Sequence, residues 1–471
     1  MVAIDVPMTQ AERERVIVSL RNAPKGKVND DGEFSDYFLA RPQLPPIALH
    51  STLGRMAEAA CSNSEAVPAS VAIHILARFA ATLGRTAYIE IGDHKRHLRM
   101  FSLIVGPTAK GRKGTSSEMP NKLFEIIYVN YLTRAKFLPL EKLTALSTGE
   151  GLIQKVRDPF SWTTGDKEHN DPGVIDKRLL CDISEFAGVL AQGRREGATL
   201  STVLRDAFDG VDLTTPSATA FRRASNTHIC VVGSVPETEI VKSLNDIEKT
   251  NGFANRFPMF YSARPKIVPL PKPTDHMLME QFAKHVADAI WKASKVGLVD
   301  MDDDAQSLWK TSLYAQIEDK TYPDLIGSLL GRRSLHTMIF AALIALFDHK
   351  CKISVDHLLA ADAWMEYWEQ TVLFVFSTAE QNEKALKDKD LQDKLVKMIA
   401  ELGGVQVSHT VLASRATNKY QSRTVRAIDV KLAMEALQRE SPPRLHTETV
   451  TTVGRPSNHY TLIELYDGSD E

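Results

Sequence analysis

Cysteine is scarce in this chain. The four cysteines, Cys61, Cys181, Cys230 and Cys351, lie far apart and form no C-x-x-C pair. That spacing argues against a zinc module and against a disulfide framework, and it fits a reducing cytosol. Cys181 and Cys230 sit in apolar runs and read as small core residues. An excess of one charge is also missing. The chain carries 57 Lys and Arg against 59 Asp and Glu, so any nucleic-acid site has to be a local patch. Long apolar runs are missing too: the longest, Met338 to Phe347, is too short to span a bilayer, and no membrane partner is expected. The N-terminus has acids and no apolar h-region, so a cytoplasmic location without a signal peptide is expected. No internal repeat is found. What is present is an ordinary globular composition, 43% hydrophobic over 471 residues, with room for about three domains.

The rhythm of the chain divides it further. Residues 1–45 form a polar lead-in with a Pro42, Pro45, Pro46 cluster, and 46–85 read as a helical region. In Pro68 to Ala81 the apolar positions run nearly all round, which predicts a buried helix. Residues 86–265 alternate strands with helices, the pattern of a three-layer α/β core. The expected strands are Ala87–Ile91, Phe101–Val105, Leu179–Ile183, His228–Gly233 and Pro258–Ser262. A proline-rich link leads into 266–378, read as an all-helical lid, followed by a charged linker at 379–387. Residues 388–466 read as three helices followed by a two-stranded pattern, the order of a winged helix. The tail, 467–471, is expected to be disordered.

The chemistry concentrates in a few segments. The apolar strand ending at Val105 breaks into Gly106, Pro107, Thr108, Ala109, Lys110, Gly111, Arg112, Lys113, Gly114, Thr115 and Ser116, after which a helical pattern begins. Strand, glycine loop and helix is the setting of a phosphate-binding loop, where backbone N–H groups and a helix start face the anion. The spelling differs from G-x-x-x-x-G-K-[ST] by two extra residues. Lys113 is the candidate for the β/γ-phosphates, with Lys110 as its rival, and Thr115 or Ser116 would give Mg²⁺ a hydroxyl. The alternative is a basic surface turn. A second strand ends in Asp182, a candidate Mg²⁺ ligand, and Glu185, a candidate for polarising water. Ser234 ends a third strand and would contact the γ-phosphate or its water. Asn251 to Phe257 places Arg256 between two aromatics, which would aim it outward as a trans-acting finger or leave it in a surface salt bridge. Arg332 or Arg333 opens a helix where a cation opposes the dipole, a placement compatible with reaching phosphate.

Two regions are candidates for DNA. Arg222 and Arg223 sit at the expected end of a hairpin before the fourth core strand. Between residues 384 and 460 there are 13 Lys and Arg against 8 Asp and Glu, opposite to the sign of the whole chain. There Arg423, Arg426 and Lys431 would lie on a recognition helix and Arg455 on a wing. The alternative is a protein-binding winged helix.

Taken together, the Gly106–Ser116 loop, Ser147 to Ile153, Arg178 to Ala187, Arg195 to Gly210 and Asn251 to Phe257 resemble a family of mobile-element ATPases and helicases defined by a domain of unknown function. The resemblance covers about residues 40–375. The layout is similar to the minichromosome-maintenance-like branch of AAA+ ATPases. That resemblance implies a P-loop NTPase (AAA+-like) α/β core with a helical N-terminal region, a helical lid and a C-terminal winged-helix domain. It implies ATP and Mg²⁺ as cofactors, DNA as partner, a hexameric ring of identical subunits, Arg256 as finger and Arg332 or Arg333 as lid arginine. The expected activity is an ATP-dependent DNA motor, a helicase in replication of a mobile element. The alternatives are a slowly hydrolysing or non-hydrolysing ATP-regulated DNA-binding initiator, or a DNA-sensing defence ATPase.

Overall fold

The computed structural model describes residues 41–377, apart from 50–51, 109–110, 136, 165–166, 194–196, 216–221, 245–251 and 323. Beyond that it describes 391–392, 394–419, 430–431, 433–434, 437, 445–450 and 457–463. The chain forms two compact units, divided after Ser377.

The first unit is built on a five-stranded parallel sheet. In chain order its strands are β1 (Phe101–Gly106), β2 (Glu141–Leu143), β3 (Arg178–Ile183), β4 (His228–Pro236) and β5 (Met259–Tyr261). Their order across the sheet is β5-β1-β4-β3-β2. All of β1 and all of β4 but Pro236 are buried, as expected of parallel strands covered on both faces. Helices form the other two layers. On one face lies α1 (Pro68–Leu83), buried at every position but the first, with α2 (Thr115–Ile127) packed beside it. The opposite face is sealed by Phe186, Phe257 and Phe208, the last from α3 (Leu200–Asp209); Phe101 meets Phe208 edge-on and Phe257 at a tilt, and Phe257 meets Phe186 at a tilt.

Two expectations are corrected here. Ala87–Ile91 is a strand, but it pairs with His94–His97 and Gly297–Leu298 in a separate small sheet. Its place in the central sheet is taken by β2, a three-residue edge strand with little apolar signature. The region after 266 is not all helical: Asp300–Met301 pairs with Lys352–Ile353, and Gly297–Leu298 joins the small sheet. Its helices α4 (Arg333–Phe347) and α5 (Val355–Val372), like His276–Ala293, share one apolar core with the sheet. The Tyr367 hydroxyl donates to the Tyr261 carbonyl at 2.6 Å, and Trp364 Nε1 donates to the Ala48 carbonyl at 3.2 Å. The stretch Leu325–Phe347 is long and apolar enough to cross a membrane, but most of it is buried inside this core.

In the second unit, residues 394–401 are helical, followed by Val407–Ser408, the helix His409–Lys419 and the strands Leu445–Val450 and Ser457–Leu462. The three strands form one antiparallel sheet with Ser457–Leu462 in the middle. Leu395, Ile399, Leu412, Val430, Met434 and Leu437 pack beneath it with Leu445 and Tyr460. The third short strand is an addition to the two expected.

Candidate functional site

The order of the central sheet fixes where a ligand can sit. From β1 the chain crosses to β2 at the far edge, returns through β3 and β4, and then places β5 on the other side of β1. The connections therefore reverse direction beside β1, and in such sheets ligands bind outside the carboxyl ends of the strands at that point. The loop from Gly106 to Gly114 emerges there, and α2 begins at Thr115 with no side chain capping it.

The glycines of the loop have identifiable reasons. A Cβ on Gly106 would stand 2.0 Å from the carbonyl oxygen of Ser262, and one on Gly111 would stand 2.8 Å from that of Pro107. Ser262 Oγ also donates to the Gly111 carbonyl at 2.7 Å, so the loop is clasped by the residue after β5. Only Gly114 has open space around it. Gly106→Ala is therefore expected to cost about 1–3 kcal/mol of stability through forced backbone displacement. Chemical denaturation without nucleotide measures this, and a wild-type midpoint would contradict the clasp.

Lys113 lies over the loop. Its Nζ donates to the carbonyls of Gly106 at 2.9 Å and Pro107 at 3.0 Å. Burial lowers its pKa, while Glu237 and Glu239, at the start of the helix after β4, oppose that shift. Lys110 lies outside the described residues. Thr115 is half-buried at the helix start. Ser116 is wholly buried, accepts from Val67 N and donates to the Arg112 carbonyl, so its hydroxyl is structural. Arg112 adopts a left-handed backbone, φ 48°, and its guanidinium is 2.5 Å from Glu65 rather than turned over the loop. Ser234 is buried on the α1 face of β4, level with Ile104.

The acids divide differently from the expectation. Asp182 is level with Val232, which is level with Ser102, four residues short of Gly106 or roughly 13 Å along the strand. Its carboxylate accepts from Arg78 at 2.6 Å and lies 2.8 Å from Lys142 Nζ. Arg78 and Lys142 both also donate to Asn121 of α2. Burial alone would raise the pKa of Asp182; Arg78, His74 and Lys142 outweigh it and hold the carboxyl below its usual value. His74 is pushed down to about 3 by burial and by Arg78, and so stays neutral. Asp182 thus neutralises a buried arginine deep in the α1–α2 layer, away from the loop. Glu185, two residues beyond β3, is exposed at the strand mouth. Glu237 joins it at that edge, where it takes a hydrogen bond from Tyr261, whose pKa rises to about 12 through burial and this bond. Glu237 was missed from sequence, although acids directly after an apolar strand were signal enough. Among the described residues no cluster of three or more His, Cys, Asp or Glu could hold a metal unaided. Mg²⁺ held by one or two carboxylates plus phosphates does not need one. Thr115, Glu185 and Glu237 fit that chemistry; Asp182, committed to Arg78, does not.

The arginines form a second constellation. Arg256 does not point outward: it is 7% exposed, and Nη2 lies 2.5 Å from Asp209. Arg96 at 3.0 Å and Arg332 at 3.1 Å reach the same carboxylate, at the end of α3. Burial lowers the pKa of Arg332, and repulsion from Arg256 adds to it, so three cations share one anion. Arg333 is sequestered, with its guanidinium between Asp362, at 3.1 Å, and Glu369. This separates the two lid candidates, since only Arg332 shares the Arg256 cluster. The cluster lies at the amino ends of the strands, opposite to the loop at their carboxyl ends. Met259 is level with Leu103, so Arg256 falls roughly 15–20 Å below Gly106.

Arg222 and Arg223 lie at the base of their hairpin rather than its tip: Thr214 pairs with Arg223, and 216–221 lie outside the described residues. Arg223 is 2.5 Å from Asp212. Lys431 is an exposed helical residue, while Arg423, Arg426 and Arg455 lie outside the described residues. No protein-family model matches the chain, and no curated protein matches it.

Proposed function

We propose that the chain is an ATP-dependent DNA motor of P-loop type that works as a ring of identical subunits, its role that of a helicase in mobile-element replication. The observation that carries this reading is the glycine loop and helix start at the switch point of a parallel sheet, with Lys113, Glu185 and Glu237 around it. In this reading Lys113 leaves the Gly106 and Pro107 carbonyls for the β/γ-phosphates. Glu185 or Glu237 orients water, in place of the expected Asp182, and Ser234 acts from within β4. Bound Mg²⁺, held at Thr115 and these acids, supplies charge neutralisation for the phosphates. Arg256 and Arg332 are too far from their own loop, so they would serve the loop of a neighbouring subunit. The second unit, with helices followed by a hairpin, supports a winged-helix contact to duplex DNA. Phosphate release with and without DNA tests the reading: Lys113→Ala is expected to lose at least a hundredfold, and equal activity would sink it.

A second reading draws on one observation. Lys113 is bonded to two carbonyls of its own loop, those of Gly106 and Pro107. A site so engaged favours nucleotide-gated DNA binding with slow turnover. Stoichiometric ATP binding without phosphate release would select it.

A further inference from the structure

Between β2 and β3 the chain makes an antiparallel ribbon, Phe160–Thr164 paired with Lys167–Asp171. Every residue of it whose exposure is described is exposed except Asp171. Side chains alternate across a ribbon, so Phe160, Trp162, Lys167, His169 and Asp171 share one face. Their rings are stacked: Phe160 and Trp162 are 5.7 Å apart at 13°, and Trp162 and His169 are 5.0 Å apart at 12°. Phe160 and Trp162 are 39% and 43% exposed. An aromatic stack left in water with polar residues around it marks an interaction surface.

The ribbon is held rigidly at its base. Arg157 grips Asp171 through two hydrogen bonds, at 2.7 and 2.8 Å. It is also joined to the arginine hairpin: Asp158 N donates to the Arg223 carbonyl at 2.8 Å, and Ser225 N donates to the Asp158 carboxylate. Between the two lies a cavity of about 220 Å³ lined by Arg157, Asp158, Pro159, Phe160, Arg222 and Arg223. That is below the roughly 300–1,000 Å³ of small-molecule sites and suits one segment of a longer ligand. The acids nearby are already engaged: Asp171 with Arg157, Asp158 with Lys177 and Asp212 with Arg223. Glu168 lies on the ribbon's other face. Arg222 is 40% exposed and stands 3.8 Å from the occupied Asp171, which leaves it open to another anion.

Flat rings beside an arginine open to an anion match the alternation of bases and phosphates in an unpaired strand. We propose that the paired strands Phe160–Thr164 and Lys167–Asp171 form a stacking platform for single-stranded nucleic acid, with Arg222 holding a phosphate. Duplex is excluded because its bases are already stacked on one another. The platform rests on the motor reading for its polymer and for the Arg222 hairpin, but it needs no ATP, so it is tested without nucleotide. Anisotropy of a labelled 20-mer oligo(dT) on the full chain is the measurement. Trp162→Ala is expected to weaken binding at least tenfold, with Trp162→Phe retaining most of it. Arg222→Ala should reduce the salt slope by about 0.7, the value of one lost single-strand phosphate contact. Melting of each variant establishes that it is folded. Wild-type affinity for oligo(dT) in folded Trp162→Ala, or an equal loss for duplex in that variant, overturns the platform. Lys113→Ala should bind the oligonucleotide normally, so failure of the motor would leave this result standing.

Discussion

Asp182→Ala is expected to lower the unfolding free energy by about 3–5 kcal/mol, the cost of leaving a buried cation without its partner. Arg78 is 3% exposed, inside a helix otherwise made almost wholly of apolar residues. Without Asp182 its remaining partners are the Asn121 side chain and two acceptors on His74, all neutral. Lys142, 2.8 Å from the same carboxylate, would be left beside it as an uncompensated like charge. The pH dependence follows from the sign of the shift. The folded carboxyl is lowered below the unfolded value of about 3.9, so its contribution is full at neutral pH and fades as pH falls through the folded value. Asp182→Ala should therefore flatten the acid limb of the stability curve as well as lower its plateau. Replacing Arg78 and Asp182 together with apolar residues should recover much of the loss. Urea unfolding of the ligand-free chain from pH 3 to 7 makes the comparison. A metal-ligand role predicts the opposite, because removing an acid from an empty metal site relieves repulsion. An unchanged or raised midpoint in Asp182→Ala would refute the buried ion pair.

Arg78 also shows what could be read from sequence and what could not. The helix around it was legible from its apolar periodicity, and a lone arginine in a buried helix demands a carboxylate. Which carboxylate answers depends on strand register, and that is set by partners 104 residues away. The core strands β1, β3 and β4 were legible because both of their faces are covered, which makes each a continuous apolar run. β2 was not, since three residues at a sheet edge, two of them charged, carry no period. The aromatic ribbon was missed for a different reason. Phe160 and Trp162 do alternate with polar residues, but the ribbon has no buried face, so no hydrophobic run marks it. Arg256 looked like an outward finger because its flanking phenylalanines are anchors. They are, at 3% and 1% exposure, but Asp209 draws the guanidinium inward between them.

Mixing Arg256→Ala with Lys113→Ala is expected to restore ATP turnover that neither variant has alone. The reasoning starts from the sheet. The loop lies at the carboxyl ends of the strands and Arg256 beyond their amino ends, so no rotation of a side chain joins them within one chain. If both act on one nucleotide, they come from two subunits. An Arg256→Ala chain then still supplies an intact loop, and a Lys113→Ala chain still supplies an intact arginine. Where the two meet in the right order, one complete site forms. Alone, Arg256→Ala should fall by 10³-fold or more, the usual scale for an arginine acting on phosphoryl transfer in trans. Its fold should survive, since Asp209 keeps Arg96 and Arg332. Asp209→Ala is the informative partner experiment. It leaves three guanidinium groups repelling one another, so stability should drop while affinity of the cluster for phosphate rises. Phosphate release in equimolar mixtures, against each variant alone at the same total concentration, gives the answer. Mixtures no more active than their components would place Arg256 outside the chemistry and reduce the cluster to an ion pair of the fold.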